Sequence, residues 1–208
     1  RRRMQPRPYQ LECLGRVQAG NTIVNLATGG GKTLIGVLAI DHFLSAAGRG
    51  RPARAMFVVP TCVLVSQQAQ YCRDFCAERR RVAELSGTEM EGWTREMWER
   101  CARDHDVLVG TPEVFRRALV DAGSISATDF ALIVFDECHN ATGNSPMAAI
   151  MRDAVWPVAA DPGCPRILGL TASFVNGSLK NVEKKRQQLE TLLQSSIFCP
   201  DVPASAVA

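Results

Sequence analysis

Nowhere in the 208 residues do two cysteines stand in a CxxC pair, the spacing on which most structural zinc sites are built. The eight cysteines are Cys13, Cys62, Cys72, Cys76, Cys101, Cys138, Cys164 and Cys199. Their even number would suit a disulfide framework, but the chain is too long and too rich in core residues for such a scaffold. Cys72 and Cys76 share a helical face with Val65, Ala69 and Phe75, which points to core packing rather than to a ligand pair. The start, RRRMQPRPY, is basic without the apolar stretch of a secretory signal. A reducing compartment, cytosol or nucleus, is therefore expected. No apolar run reaches the roughly 20 residues that a membrane-spanning helix needs, so no membrane partner is expected. Internal repeats and low-complexity tracts are absent too. Excess charge is small: the net value of +3 does not by itself identify a nucleic-acid partner. Basic residues do gather at Arg1, Arg2 and Arg3 with Arg7, at Arg49, Arg51 and Arg54, and at Arg79, Arg80 and Arg81, but such runs are more often solvated faces than binding sites.

What is present is ordinary globular material, 46% hydrophobic and 22% charged, enough for one domain with a real core. Short apolar, β-branched runs predict strands over residues 22–27, 55–60, 81–86, 106–111, 131–136 and 166–171. Amphipathic stretches between them predict helices over 9–18, 32–46, 62–80, 93–103, 113–121 and 146–156, and a last one over 179–194. Strands apolar on both faces, alternating with helices, predict an α/β fold with a mostly parallel central sheet covered on both sides. Ligands of such sheets bind at the carboxyl ends of the strands. The small and proline residues of CPDVPASAVA suit a linker. The expected organisation is one domain over 1–198 and a linker over 199–208.

Ala27 to Leu34 read ATGGGKTL, after a strand and into a helix, which is the context of a phosphate-binding loop. Gly29, Gly30 and Gly31 allow a tight turn whose N–H groups aim inward. The helix start adds partial positive charge. Lys32 is placed to reach the β- and γ-phosphates, and the Thr33 hydroxyl to hold Mg2+. Thr28 and Leu34 complete the set of candidate nucleotide-binding residues in the loop. A small Ala27 stands where the general pattern has glycine.

A second acidic strand end should face such a loop. Residues 132–140, LIVFDECHN, offer it. Asp136, at the end of the apolar run, is the candidate Mg2+ carboxylate, and Glu137 the candidate general base. A zinc site on Cys138 and His139 is the weaker reading, because adjacent residues do not converge easily on one ion and no second pair exists. An accidental acidic turn would be plausible only without the phosphate loop.

FDECH is a DExH box, and with ATGGGKT the chain resembles superfamily 2 helicases and translocases, whose lobes are RecA-like P-loop NTPase folds. Further motifs follow in the family's order over nearly the whole chain. PYQ resembles the glutamine motif, in which Gln10 would read the adenine edge. VVPTCVLVSQQ (residues 58–68) resembles motif Ia, VGTPEVF (109–115) motif Ib, and LTAS (170–173) motif III. The resemblance implies ATP and Mg2+ as cofactors. It implies nucleic-acid backbone contacts by Pro60, Thr61, Gly110, Thr111 and Pro112, and coupling of hydrolysis to movement through His139, Thr171 and Ser173. NTIVNLATGGGKT, LIVFDECHNA, CPRILGLTASFVNG and the stretch holding Trp93 and Trp98 are similar to the amino-terminal helicase lobe of Dicer enzymes. This closer resemblance implies double-stranded RNA as a partner, small-RNA processing as the setting, and double-stranded-RNA-binding proteins as companions. Trp93 and Trp98 could stack on bases, but their spacing does not put them on one helical face, and one is expected in the core.

Nothing resembles motifs IV to VI, which in the family lie on a second RecA-like lobe with the arginine finger, or the ribonuclease III and PAZ domains of Dicer. ATP hydrolysis is therefore expected to need a second lobe, and RNA cleavage is not expected from these residues. The alternatives are a viral-RNA sensor helicase, a DNA translocase with the same motor lobe, and an ATP-independent RNA-binding scaffold. Intact Lys32, Asp136 and Glu137 argue against the last.

Overall fold

The apolar, β-branched runs form one sheet. The computed structural model describes residues 5–47, 54–77, 79–172 and 179–203. Arg1, Arg2, Arg3, Arg49, Arg51 and the motif III Ser173 lie outside the described residues, as do 204–208. The strands are β1 (Thr22–Asn25), β2 (Ala55–Val58), β3 (Val82–Leu85), β4 (Val107–Gly110), β5 (Leu132–Phe135), β6 (Arg166–Thr171) and β7 (Ser196–Phe198). Every pairing between them is parallel, in the order β3-β4-β2-β5-β6-β1-β7.

The helices are α1 (Pro8–Ala19), α2 (Lys32–Ala46), α3 (Cys62–Phe75), α4 (Arg95–Asp104), α5 (Pro112–Arg116), α6 (Pro146–Ala149) and α7 (Leu179–Leu193). Two of them run on as π turns, α5 over Arg117–Asp121 and α6 over Ile150–Val155. Strand side chains alternate between two faces, and the sequence fills both. Ile23, Met56, Val58, Ile133, Phe135 and Ile167 pack with residues of α4 to α7. Val24, Phe57, Val109, Val134 and Leu168 pack with α1, α2 and α3. Cys72 and Cys76 are buried in the second core as free thiols.

The structure departs from the sequence reading in two places. The helix expected over 62–80 ends at Phe75, because the Ala77 N–H donates to the Asp41 carboxylate on α2 and draws the chain off the helical path. β7, which the sequence reading did not predict, is an edge strand on β1, with Thr22 opposite Ser196.

Candidate nucleotide and nucleic-acid site

The strand register brings the candidate residues together at the carboxyl edge of the sheet. Leu26 N–H donates to the Thr171 carbonyl at 3.0 Å, and Asp136 N–H to the Val58 carbonyl at 2.9 Å. The glycine loop is thereby tied to the end of β6, and the acidic turn to the end of β2.

The loop turns on backbone angles that favour glycine: φ is +84° at Gly29 and +77° at Gly31. At Gly30 an added Cβ would stand 2.6 Å from Leu26 Cγ, and at Gly31 it would collide with the Gln10 amide. α2 starts at Lys32 with Gly31 at its N-cap and no side-chain cap, so its first N–H groups face the loop. Lys32 Nζ donates to the Leu26 carbonyl at 3.1 Å, across the turn. Thr33 Oγ1 accepts from Gln68 Nε2 of α3 at 3.3 Å. Leu34 is buried, which leaves its backbone as the part that faces the loop. Thr28 is exposed at the loop's tip.

The first turn of α1 clamps this loop. Tyr9 Oη donates to the Gly30 carbonyl at 2.8 Å. Gln10 is 4% exposed; its Oε1 accepts from Arg7 N–H at 2.8 Å, and its Nε2 lies 3.4 Å from the carbonyls of both Gly30 and Gly31. Sequence reasoning singled out Gln10 and passed over Tyr9 and Gln68. Both stood in quoted motifs, PYQ and VVPTCVLVSQQ, but their contacts are made only by the tertiary fold.

Asp136 follows β5 and is 8% exposed. Burial, and next the charge of Glu137, push its carboxyl up to about 6, against the pull of the Glu137 N–H and of Lys32. Lys32 and Asp136 are thus electrostatic neighbours across the sheet edge. Glu137 has φ +47° and ψ +48°, a left-handed conformation that is costly without glycine. This turn buries Asp136 while the Glu137 side chain stays 31% exposed. His139 Nδ1 stands 2.9 Å from the buried Thr171 hydroxyl and 3.3 Å from Glu137 Oε2. The threonine of LTAS and the last residue of the DExH box therefore touch. Cys138 is fully buried, its thiol pushed upward by burial. A Cβ on Gly169 of β6 would meet its sulfur at 2.9 Å, so Cys138 serves as packing between strands.

Thr61 and Thr111 are the N-caps of α3 and α5, and neither hydroxyl is used as a cap. Val58 pairs with Gly110, and Val59 N–H donates to the Gly110 carbonyl at 2.9 Å, which sets the two loops side by side. Pro60, Thr111 and Pro112 are half-buried and Thr61 is exposed, whereas Gly110 is buried. A Cβ at Gly110 would stand 2.9 Å from the Leu85 carbonyl and 3.0 Å from Phe115, so that glycine is needed for packing. A cavity of about 510 Å³ opens next to Thr111, walled by Trp93 and Trp98. The two rings meet edge to face at 4.9 Å, and Trp98 is the core member of the pair.

A glycine loop opening a helix after β1, facing a buried acidic turn after β5 in an all-parallel sheet, defines a RecA-like lobe of the P-loop NTPase class. Residues 7–182 match the DEAD/DEAH box helicase family, and the chain belongs to that family. It is 40% identical over 194 residues to the endoribonuclease Dicer of Danio rerio, covering 92% of this chain and 10% of that protein. It is 35% identical over 209 residues to endoribonuclease Dicer homolog 2b of Oryza sativa subsp. japonica, covering 93% of this chain and 14% of the relative. Dicer-like protein 1 of Cryphonectria parasitica is 38% identical over 200 residues, with coverages of 92% and 13%. The crystal structure of the Pyrococcus furiosus Hef helicase domain superposes with a TM-score of 0.76 at 26% identity, over 98% of this chain and 39% of that one. The chain thus spans about a tenth to a seventh of the Dicer relatives it matches. Among the described residues, no helix is long and apolar enough to cross a membrane.

Proposed function

We propose that this chain is the ATP-binding lobe of a helicase that engages double-stranded RNA, as part of a Dicer-type RNA-processing enzyme in the cytosol or nucleus. The observation that carries the proposal is Lys32, at the end of the glycine loop, acting on the buried Asp136 across one edge of the sheet, within a chain similar to Dicer over nine-tenths of its length. The residues fit a magnesium-bound triphosphate. The loop turns at Gly29 and Gly31 on left-handed backbone angles that favour glycine, and Asp136 is a buried carboxylate short of positive charge.

In this reading the backbone of Thr28 to Leu34 and the α2 N-terminus hold the phosphates. Lys32 neutralises the terminal phosphates, and Thr33 and Asp136 hold Mg2+. When bound, the ion would supply charge neutralisation on the phosphates. Glu137 orients water and takes its proton. Gln10 reads the adenine edge by giving up its long contacts to the loop carbonyls. His139 and Thr171, with Ser173, pass the state of the site toward the nucleic acid. The hydroxyls of Thr61 and Thr111, with Pro60 and Pro112 shaping the loops and Gly110 seating them, meet the RNA backbone. Such contacts position a duplex without reading its sequence. Residues up to 198 form the lobe, and 199–208 lead toward a second RecA-like lobe that completes the hydrolytic site. Double-stranded-RNA-binding proteins are the expected companions of the parent enzyme.

The test is ATP hydrolysis by the full-length protein with duplex RNA and, in parallel, duplex DNA. Stimulation by RNA well above that by DNA is expected. Stimulation by DNA alone favours a translocase of the same superfamily, and an unchanged full-length activity in Lys32→Ala favours an ATP-independent scaffold.

A further inference from the structure

We infer that Gln68, inside the motif Ia helix, is a positioning residue that sets magnesium affinity by fixing the Thr33 hydroxyl. The inference rests on the reading above, in which Thr33 holds Mg2+.

Gln68 lies two turns into α3, on the face turned to α2, and is 6% exposed. Its buried helical neighbours are Val65, Ala69 and Cys72, all apolar. Its Nε2 reaches Thr33 Oγ1 at 3.3 Å across 35 residues of sequence. Its Oε1 is buried with no hydrogen-bond partner among the described residues. A buried amide oxygen without a donor is costly, and a leucine would fill the same place without that cost. The amide therefore contributes little to the fold as packing, and its one long-range polar contact is with the hydroxyl assigned to the metal.

A threonine hydroxyl has one proton and two lone pairs. Left free to rotate, it offers a cation a lone pair only part of the time. An amide on one side removes that freedom. A half-turn about Cγ–Cδ exchanges Nε2 for Oε1 at the same place. The buried oxygen then accepts the Thr33 proton, and both lone pairs of Oγ1 are free for a cation. The candidate nucleic-acid contact Thr61 is the N-cap of α3, so one helix joins that contact to the Gln68 amide that meets Thr33.

The test is an equilibrium titration of the 208-residue chain with ADP, with and without Mg2+, alongside thermal unfolding. Gln68→Leu is expected to weaken binding about tenfold with Mg2+, to change it less than twofold without Mg2+, and to leave Tm unchanged or raised. In a Thr33→Val background the same substitution is expected to add nothing. Gln68→Glu, which keeps an acceptor for the hydroxyl, is expected to stay within threefold of wild type with Mg2+. Equal loss with and without Mg2+, no loss with Mg2+, or a Glu variant as weak as Leu overturns the inference. A wild-type chain that binds ADP in neither condition overturns the phosphate-loop reading beneath it, and the inference falls with it.

Discussion

Asp136 shows most plainly what the site costs. Its carboxylate is buried next to Glu137, and its pKa is pushed up to about 6 by that burial. Raising a carboxyl pKa tenfold in proton affinity corresponds to about 1.4 kcal/mol, so ionised Asp136 strains the folded chain at neutral pH. Asp136→Asn keeps the shape and the acceptor for the Glu137 N–H while removing the charge. It is expected to stabilise the chain at pH 7 by on the order of 1–2 kcal/mol, seen as a higher Tm in the presence of a chelator. The same variant is expected to lose the Mg2+-dependent part of nucleotide binding. A lower Tm would show that the buried carboxylate is already balanced by the fold. Glu137 carries a similar sign in its backbone, since a non-glycine residue held at φ +47° is kept there by its surroundings.

At the scale of elements, the helix that follows β4 is held by local charge. Glu113, in the first turn of α5, accepts from Arg116 at 2.9 Å and from Arg117 at 3.0 Å. Arg116 first, then Arg117, hold its pKa down to about 2. A lowered folded-state pKa means stability that is present above the unfolded value of 4.5 and is lost as pH falls toward 2. Glu113 is 42% exposed and Arg116 26%, so with solvent screening Glu113→Gln is expected to cost less than about 1 kcal/mol at pH 7. The difference in Tm between variant and wild type should shrink between pH 4.5 and pH 3, and a gap that stays constant would refute the assignment. The elements themselves were largely legible. Six of the strands announced themselves as apolar β-branched runs. α2 has the bounds read from the sequence, but no amphipathic stripe marks it: Leu34, Ile35, Gly36 and Val37 are buried in succession, and the glycine loop is what signals its start. β7 is three residues long, too short for any period to show. The end of α3 is set by Asp41, a residue on another helix, and the first turn of α1 grips the loop through Tyr9. Local pattern does not encode such pairings. For the same reason the glycine loop and DExH box could be read as motifs, while the roles of Tyr9 and Gln68 could not.

The whole molecule is a sheet with two cores, whose carboxyl edge gathers the candidate residues from β1, β2, β4, β5 and β6. The central claim is that this edge binds a magnesium-bound nucleotide through Lys32. The direct measurement is an equilibrium titration of the wild-type chain and Lys32→Ala with Mg2+ and ATP, with Tm recorded for both. Lys32 is half-buried and its visible bond is to a loop carbonyl, so its removal should leave the fold standing. Saturable wild-type binding, at least tenfold weaker in Lys32→Ala at equal Tm, is the predicted result. Equal affinity in the two proteins would contradict the account.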